Sequence, residues 1–134
     1  MLATLLFYFL FNAQAAGWTP YILANFPRST DEALIKCENS AAEAKKTKDI
    51  KNRLRALSLC EEFLKESKDT PAFLCYLGLL YSDLKNSVEP DAARKCPSSF
   101  QHHEIKGCLY DSKHLDRVVA EFPKSPYADQ AAFL

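Results

Sequence analysis

Apolar residues recur at three- and four-residue steps along most of this chain, and the alternation of Val, Ile and Thr that marks a strand is hard to find. The spacing predicts helices. The first opens at Ser29-Thr30-Asp31-Glu32, a capping box in which Ser29 and Glu32 satisfy each other's orphan amides, and it carries Leu34, Cys37, Ala41 and Ala44 on one face. A second covers residues 48–67, with Ile50, Leu54, Leu57, Cys60 and Leu64 inward and Lys51, Arg53, Arg55, Glu61 and Lys65 on the other face. The third starts at Thr70-Pro71, a hydroxyl cap and a first-turn proline, and reads FLCYLGLLY over residues 73–81. Apolar on nearly all sides, it is the expected central helix. Gly78 within it costs about 1 kcal/mol against Ala and implies close approach of a neighbouring helix.

Residues 90–95 suit one short helical turn, and residues 97–107 read as a loop. A fourth helix over residues 112–122 places Leu115, Val118, Val119 and Phe122 on one face and stops at Pro123. A fifth begins at Ser125-Pro126 and reaches Leu134 after barely two turns, with Tyr127, Ala131 and Leu134 apolar. So short a helix needs a partner helix that the sequence does not supply, and the chain is expected to be truncated or a fragment.

The N-terminus changes the picture most. Residues 1–16 read MLATLLFYFLFNAQAA, an apolar run over residues 5–11 followed by Ala13-Gln14-Ala15, the small-x-small pattern that a signal peptidase accepts. Residues 1–15 are therefore expected to be a signal peptide, although the α-amino group is the only positive charge before the run. A buried helix ranks lower, because nothing polar interrupts the run to give it a solvent face. The run is also well short of the roughly 20 apolar residues that span a bilayer. All five cysteines follow it, which in an oxidising compartment implies disulfides and one odd thiol, and in a reducing one small buried apolar residues.

Among the 134 residues, Lys plus Arg and Asp plus Glu each number 17, so the whole-chain field attracts neither nucleic acid nor an anionic membrane. Hydrophobic residues at 48% and charged residues at 25% match an ordinary globular domain. The domain is expected over residues 16–134.

Self-comparison is informative. Ile22-Leu23-Ala24-Asn25-Phe26-Pro27-Arg28-Ser29 returns as Val118-Val119-Ala120-Glu121-Phe122-Pro123-Lys124-Ser125, identical or similar in kind at every position. Each copy ends an amphipathic helix with an aromatic plug, Phe26 or Phe122, a tight turn and a capped new helix. Leu74, Leu77-Gly78 and Tyr81 match the tetratricopeptide first-helix signature W-x2-L-G-x2-Y with Leu for the Trp, and the chain resembles that family in pieces. Its last twenty residues look like the inter-repeat junction of periplasmic members, including outer-membrane assembly lipoproteins, but no lipobox cysteine is present. The resemblance implies an all-α fold, antiparallel helical hairpins stacked as a short TPR-like solenoid, with a concave protein-binding surface. Phe26 to Phe63 is 37 positions and Phe63 to Phe122 is 59, so an inserted loop near residues 86–108 interrupts the second hairpin.

Candidate chemistry gathers in that loop. Cys96, His102, His103, Cys108 and His114 include every histidine, and Cys and His are zinc's preferred ligands, but no C-x2-C or H-x3-H pair occurs. A Cys96–Cys108 disulfide bracing the loop ranks first, solvated histidines second and metal last. Cys60 and Cys75, on consecutive helices, either pair across the hairpin or pack, and Cys37 is then the free thiol. The basic run Lys45, Lys46, Lys48, Lys51, Arg53 and Arg55 is expected to be a solvated face. No carboxylates converge as acid and base and no phosphate-binding glycine loop occurs, so no enzyme, catalytic residue or cofactor is expected. The expected role is an exported, periplasmic or secreted, interaction module for another protein or peptide, in cell-envelope or outer-membrane assembly, touching membranes only through partners. The alternative is a disulfide-braced secreted inhibitor or effector that uses residues 96–108.

Overall fold

The computed structural model describes residues 30–85 and 87–133. The expected leader, the first copy of the repeat with Phe26, the Ser29 half of the capping box and Leu134 lie outside the described residues. Helices α1 (Glu32–Thr47), α2 (Ile50–Leu64) and α3 (Thr70–Asp83) are followed by strands β1 (Phe100–His103) and β2 (Gly107–Tyr110), then by α4 (Lys113–Glu121) and α5 (Ala128–Phe133).

Aspartates stand at the cap positions of the first three helices, within two positions of where the sequence suggests each start. Asp31 caps α1 by accepting from the Ala33 amide at 3.3 Å. The same carboxylate accepts from the Ser67 hydroxyl and the Lys68 amide, so it also fixes the α2–α3 turn against the start of α1. Asp49 caps α2 through the Lys51 amide at 3.0 Å. Asp69, not Thr70, is the cap position of α3, with Pro71 in the first turn.

α1 and α2 form an antiparallel hairpin joined by a Cys37–Cys60 disulfide. The pairing corrects the expected Cys60–Cys75 bond and the expected free Cys37. Cys37 and Cys60 stand equally far from the Lys48–Asp49 turn, hence at one height, with their Cα atoms 4.9 Å apart. Cys75 is equally well placed in height but is turned elsewhere, beside Tyr127, whose phenol pKa is raised by burial, by Asp69 and by Cys75. Among the described residues Cys75 is the free thiol, and burial pushes its pKa up to about 12.

α3 is the central helix: it packs against α2, α4 and α5 and buries Phe73, Leu74 and Leu77 completely. The neighbour implied by Gly78 is α4, since a Cβ there would overlap the Leu115 side chain. The remaining core comes from Leu84, Val88, Val118 and Tyr127, with Phe122 half-buried against it.

The all-α solenoid is overturned between α3 and α4. There the chain forms a two-stranded antiparallel sheet where a solenoid requires a helix, with Phe100 opposite Tyr110, Gln101 opposite Leu109, His102 opposite Cys108 and His103 opposite Gly107. The expected loop over residues 97–107 thus holds, from Phe100 onward, most of a β-hairpin that continues to Tyr110. Along β1 only Phe100 is buried, so the segment lacks the two-residue apolar period by which a strand is recognised. The expected helical turn at residues 90–95 is a turn organised by Asp91, whose carboxylate accepts from the Ala93 and Lys95 amides at 2.9 Å each.

Candidate functional site

The hairpin is built from both ends. Upstream, the Asp91 turn leads to Cys96, which is bonded to Cys108 in β2 across a Cα–Cα distance of 5.7 Å. The Cys108 amide donates to the Val88 carbonyl at 3.0 Å, attaching β2 to the buried end of the segment that follows α3. Gly107 adopts φ +81°, and a Cβ there would come within 3.1 Å of that carbonyl, so this position is reserved for glycine. At the other end of the sheet the Asp111 amide donates to the Ser99 carbonyl at 3.0 Å.

The tip stands in solvent. His102, His103, Glu104, Ile105 and Lys106 are all exposed, and Ile105 is 89% exposed, the most exposed large apolar residue described. The turn is nonetheless ordered from within: His103 Nδ1 accepts from the Ile105 amide at 3.3 Å and the Lys106 amide at 3.2 Å. His103 thus shapes the turn through Nδ1.

The base is fixed by a hydrogen-bonded chain that crosses four elements. Glu61 Oε1 on α2 accepts from the Tyr81 hydroxyl on α3 at 2.9 Å and from His114 Nε2 on α4 at 2.6 Å. His114 Nδ1 lies 2.8 Å from the Tyr110 hydroxyl of β2, and that oxygen accepts from the His114 amide at 3.1 Å. Either protonation state of His114 closes the chain. The neutral ring accepts the Tyr110 proton at Nδ1, the imidazolium donates there instead, and Nε2 donates to Glu61 in both. The rings also stack: Tyr81 lies 5.1 Å from Tyr110 and 4.9 Å from His114 between centroids, nearly parallel to each, with Phe100 tilted against Tyr81 at 5.5 Å.

Burial pushes the Glu61 carboxyl upward, but the hydrogen bond and attraction of His114, the Tyr81 hydroxyl and Lys113 outweigh it, so its pKa falls below the usual Glu value. Burial, and then neighbouring acids, push the Tyr81 and Tyr110 phenols upward. Both remain protonated at neutral pH, so neither is an activated nucleophile. The chain of groups positions the hairpin on the core.

Among the predicted residues, Cys96 and Cys108 are brought together as a disulfide, which removes both sulfurs from any zinc site. His102 and His103 are exposed on β1, while His114 is 4% exposed and engaged with Glu61 and Tyr110. Among the described residues no cluster of three His, Cys, Asp or Glu is placed to hold a metal. Leu74, Leu77, Gly78 and Tyr81 lie together along α3 as packing residues. Glu61, expected on the solvated face of α2, is turned inward. Arg53, also expected there, is half-buried and bound to Asp83 at 2.9 Å. The sequence carries one signal for the Glu61 chain, a histidine on the apolar face of an amphipathic helix beside Leu115 and Val118. The carboxylate that satisfies it is 53 positions away.

The two disulfides are compatible with an extracellular or periplasmic location. Among the described residues no helix is long and apolar enough to cross a membrane. No family model, curated protein or solved structure matches the chain.

Proposed function

We propose that this chain is an exported protein-binding domain that engages a partner protein with the tip of its β-hairpin, in the manner of a disulfide-braced inhibitor or effector. One observation carries the reading: Ile105, 89% exposed, sits at the end of a hairpin held by the Cys96–Cys108 bond at its flank and the Glu61–His114–Tyr110 chain at its base. An exposed apolar side chain on a braced scaffold loses little conformational freedom on binding, which is how preorganised loops gain affinity. Two disulfides support export by suiting an oxidising compartment.

A photo-crosslinking residue placed at Ile105 tests this, with the same residue at Leu59, 50% exposed on α2, as the control. The expected result is a discrete crosslinked species from the extracytoplasmic fraction at position 105 and none at 59. Equal labelling at both positions would overturn the reading.

A further inference from the structure

The α1–α2–α3 bundle is tightly filled at one end and split at the other. Along α1 the inward stripe shrinks from Leu34 and Cys37, both buried, to Ala41 and Ala44. Where the alanines face Leu57, Tyr76 and Leu80, a half-open cleft of about 250 Å³ remains. Its charged side chains gather at one end: Arg53 lies 2.9 Å and Lys45 3.9 Å from the same oxygen of Asp83. Two cations share one carboxylate, which leaves one positive charge uncompensated there.

We propose that this cleft binds an amphipathic anion of the fatty-acid class, its alkyl chain along Ala41, Ala44 and Leu80 and its carboxylate against Lys45 and Arg53. The size is just under the roughly 300 Å³ at which pockets for drug-sized ligands begin, so a medium-length chain fits better than a bulky ring system. Away from the charged end the lining is alanine and leucine with Tyr76 as the one hydrogen-bonding side chain, which suits an alkyl tail better than a peptide backbone that needs its amides satisfied. Charge complementarity selects the headgroup: one anion neutralises the surplus of the Lys45–Arg53–Asp83 group. Lys45, 71% exposed and only loosely held by Asp83, is free to swing onto it.

Decanoate, below its micellar range, is the probe, titrated into the full oxidised chain and followed by calorimetry and amide NMR shifts; decanol is the uncharged control. The expected result is saturable binding of one decanoate per chain, with shifts centred on Ala41, Ala44 and Leu80. Ala44→Leu fills the cleft and should weaken decanoate binding by about tenfold or more, whereas Ala44→Ser leaves the space open and should retain most of it. Lys45→Glu, at an exposed position that spares the core, should weaken decanoate by about tenfold and leave decanol unchanged. Unsaturable binding, equal affinity for decanoate and decanol, shifts outside the cleft, or Ala44→Leu binding as wild type at an unchanged melting temperature would each overturn the proposal. Should Ala44→Leu fail to fold, the Lys45→Glu comparison decides alone.

Discussion

The Cys37–Cys60 bond joins two helices that already share an apolar interface, with Leu34 and Ala33 of α1 and Ala56 and Leu57 of α2 buried beside it. The Cys96–Cys108 bond joins a β-hairpin in which Phe100 and Cys108 are the only buried strand residues. A two-stranded hairpin is marginal in water unless it packs on something else. The helical pair thus carries its own reason to assemble, and its disulfide adds to a structure that side-chain pattern specifies. The β-hairpin takes its reason from outside: a covalent brace at its flank, the Val88 carbonyl, and the aromatic and hydrogen-bonded groups at its base. One chemical bond reinforces a fold in the first case and substitutes for one in the second.

Removing each bond separately tests that contrast and gives the largest effects expected. The loops closed span 23 and 12 positions, so the chain-entropy cost of losing either bond is about 3 kcal/mol. Urea unfolding of Cys37→Ala/Cys60→Ala and of Cys96→Ala/Cys108→Ala should therefore show losses of similar size. Hydrogen exchange should separate them. Without Cys96–Cys108, the β1 and β2 amides lose protection while those of α3 keep it; without Cys37–Cys60, protection falls evenly across the fold. A β-hairpin that stays protected without its disulfide would break the comparison.

Next in size is the base of the hairpin. His114→Ala removes the group that joins α4 and β2 to Glu61, leaving the Glu61 carboxylate with the Tyr81 hydroxyl and the more distant Lys113 charge. The expected loss is about 2 kcal/mol by chemical denaturation, combining a cavity with weakened satisfaction of a half-buried acid. Adding Glu61→Gln to that variant should recover part of it, because a neutral amide tolerates the vacated site better than a carboxylate. No recovery would mean that His114 acts by packing alone.

Acid should act at the same point more gently. The folded-state pKa of Glu61 lies below the ordinary value of a glutamate, so the stability it contributes is present above that ordinary value and is lost as pH falls through the folded-state pKa. Unfolding free energy measured from neutral pH downward should therefore decline in acid, and Glu61→Gln should flatten that part of the decline. Identical acid limbs for the two proteins would show that the carboxylate draws no net stabilisation from His114 and Tyr81.

Legibility in the sequence divides along the same line as the two hairpins. Helices α1 to α4 could be read because Leu34, Leu57, Leu77, Leu115 and their neighbours recur at the helical period, and Gly78 announced the close approach that Leu115 makes. The β-hairpin was hidden because Gln101-His102-His103 are all exposed, so no alternation records the strand. Cys96 and Cys108 were legible as a brace through proximity in sequence, but not the strands that they hold together. The Cys37–Cys60 pairing was not legible, since Cys75 stands as level with Cys60 as Cys37 does and only the facing of α3 decides. Position on α2 points Glu61 to solvent; what turns it inward is His114 on α4, a long-range effect without a local signature.

The smallest effect on stability is expected where the functional claim is largest. Ile105 is 89% exposed, beyond the His103 ring that orders the turn, so Ile105→Ala removes almost no buried surface. Its unfolding free energy should match wild type within about 0.5 kcal/mol, the range of ordinary surface changes. His103→Ala should instead loosen the turn, because two backbone amides lose their acceptor, and should raise exchange at Ile105 and Lys106 with the β1–β2 ladder intact. The pair separates presentation from contact. If the tip binds a partner through its apolar side chain, Ile105→Ala abolishes capture at unchanged stability and His103→Ala weakens it through disorder. If Ile105→Ala is measurably destabilised, the side chain packs in solution against the hairpin's own surface, and the tip is part of the fold rather than a probe extended from it.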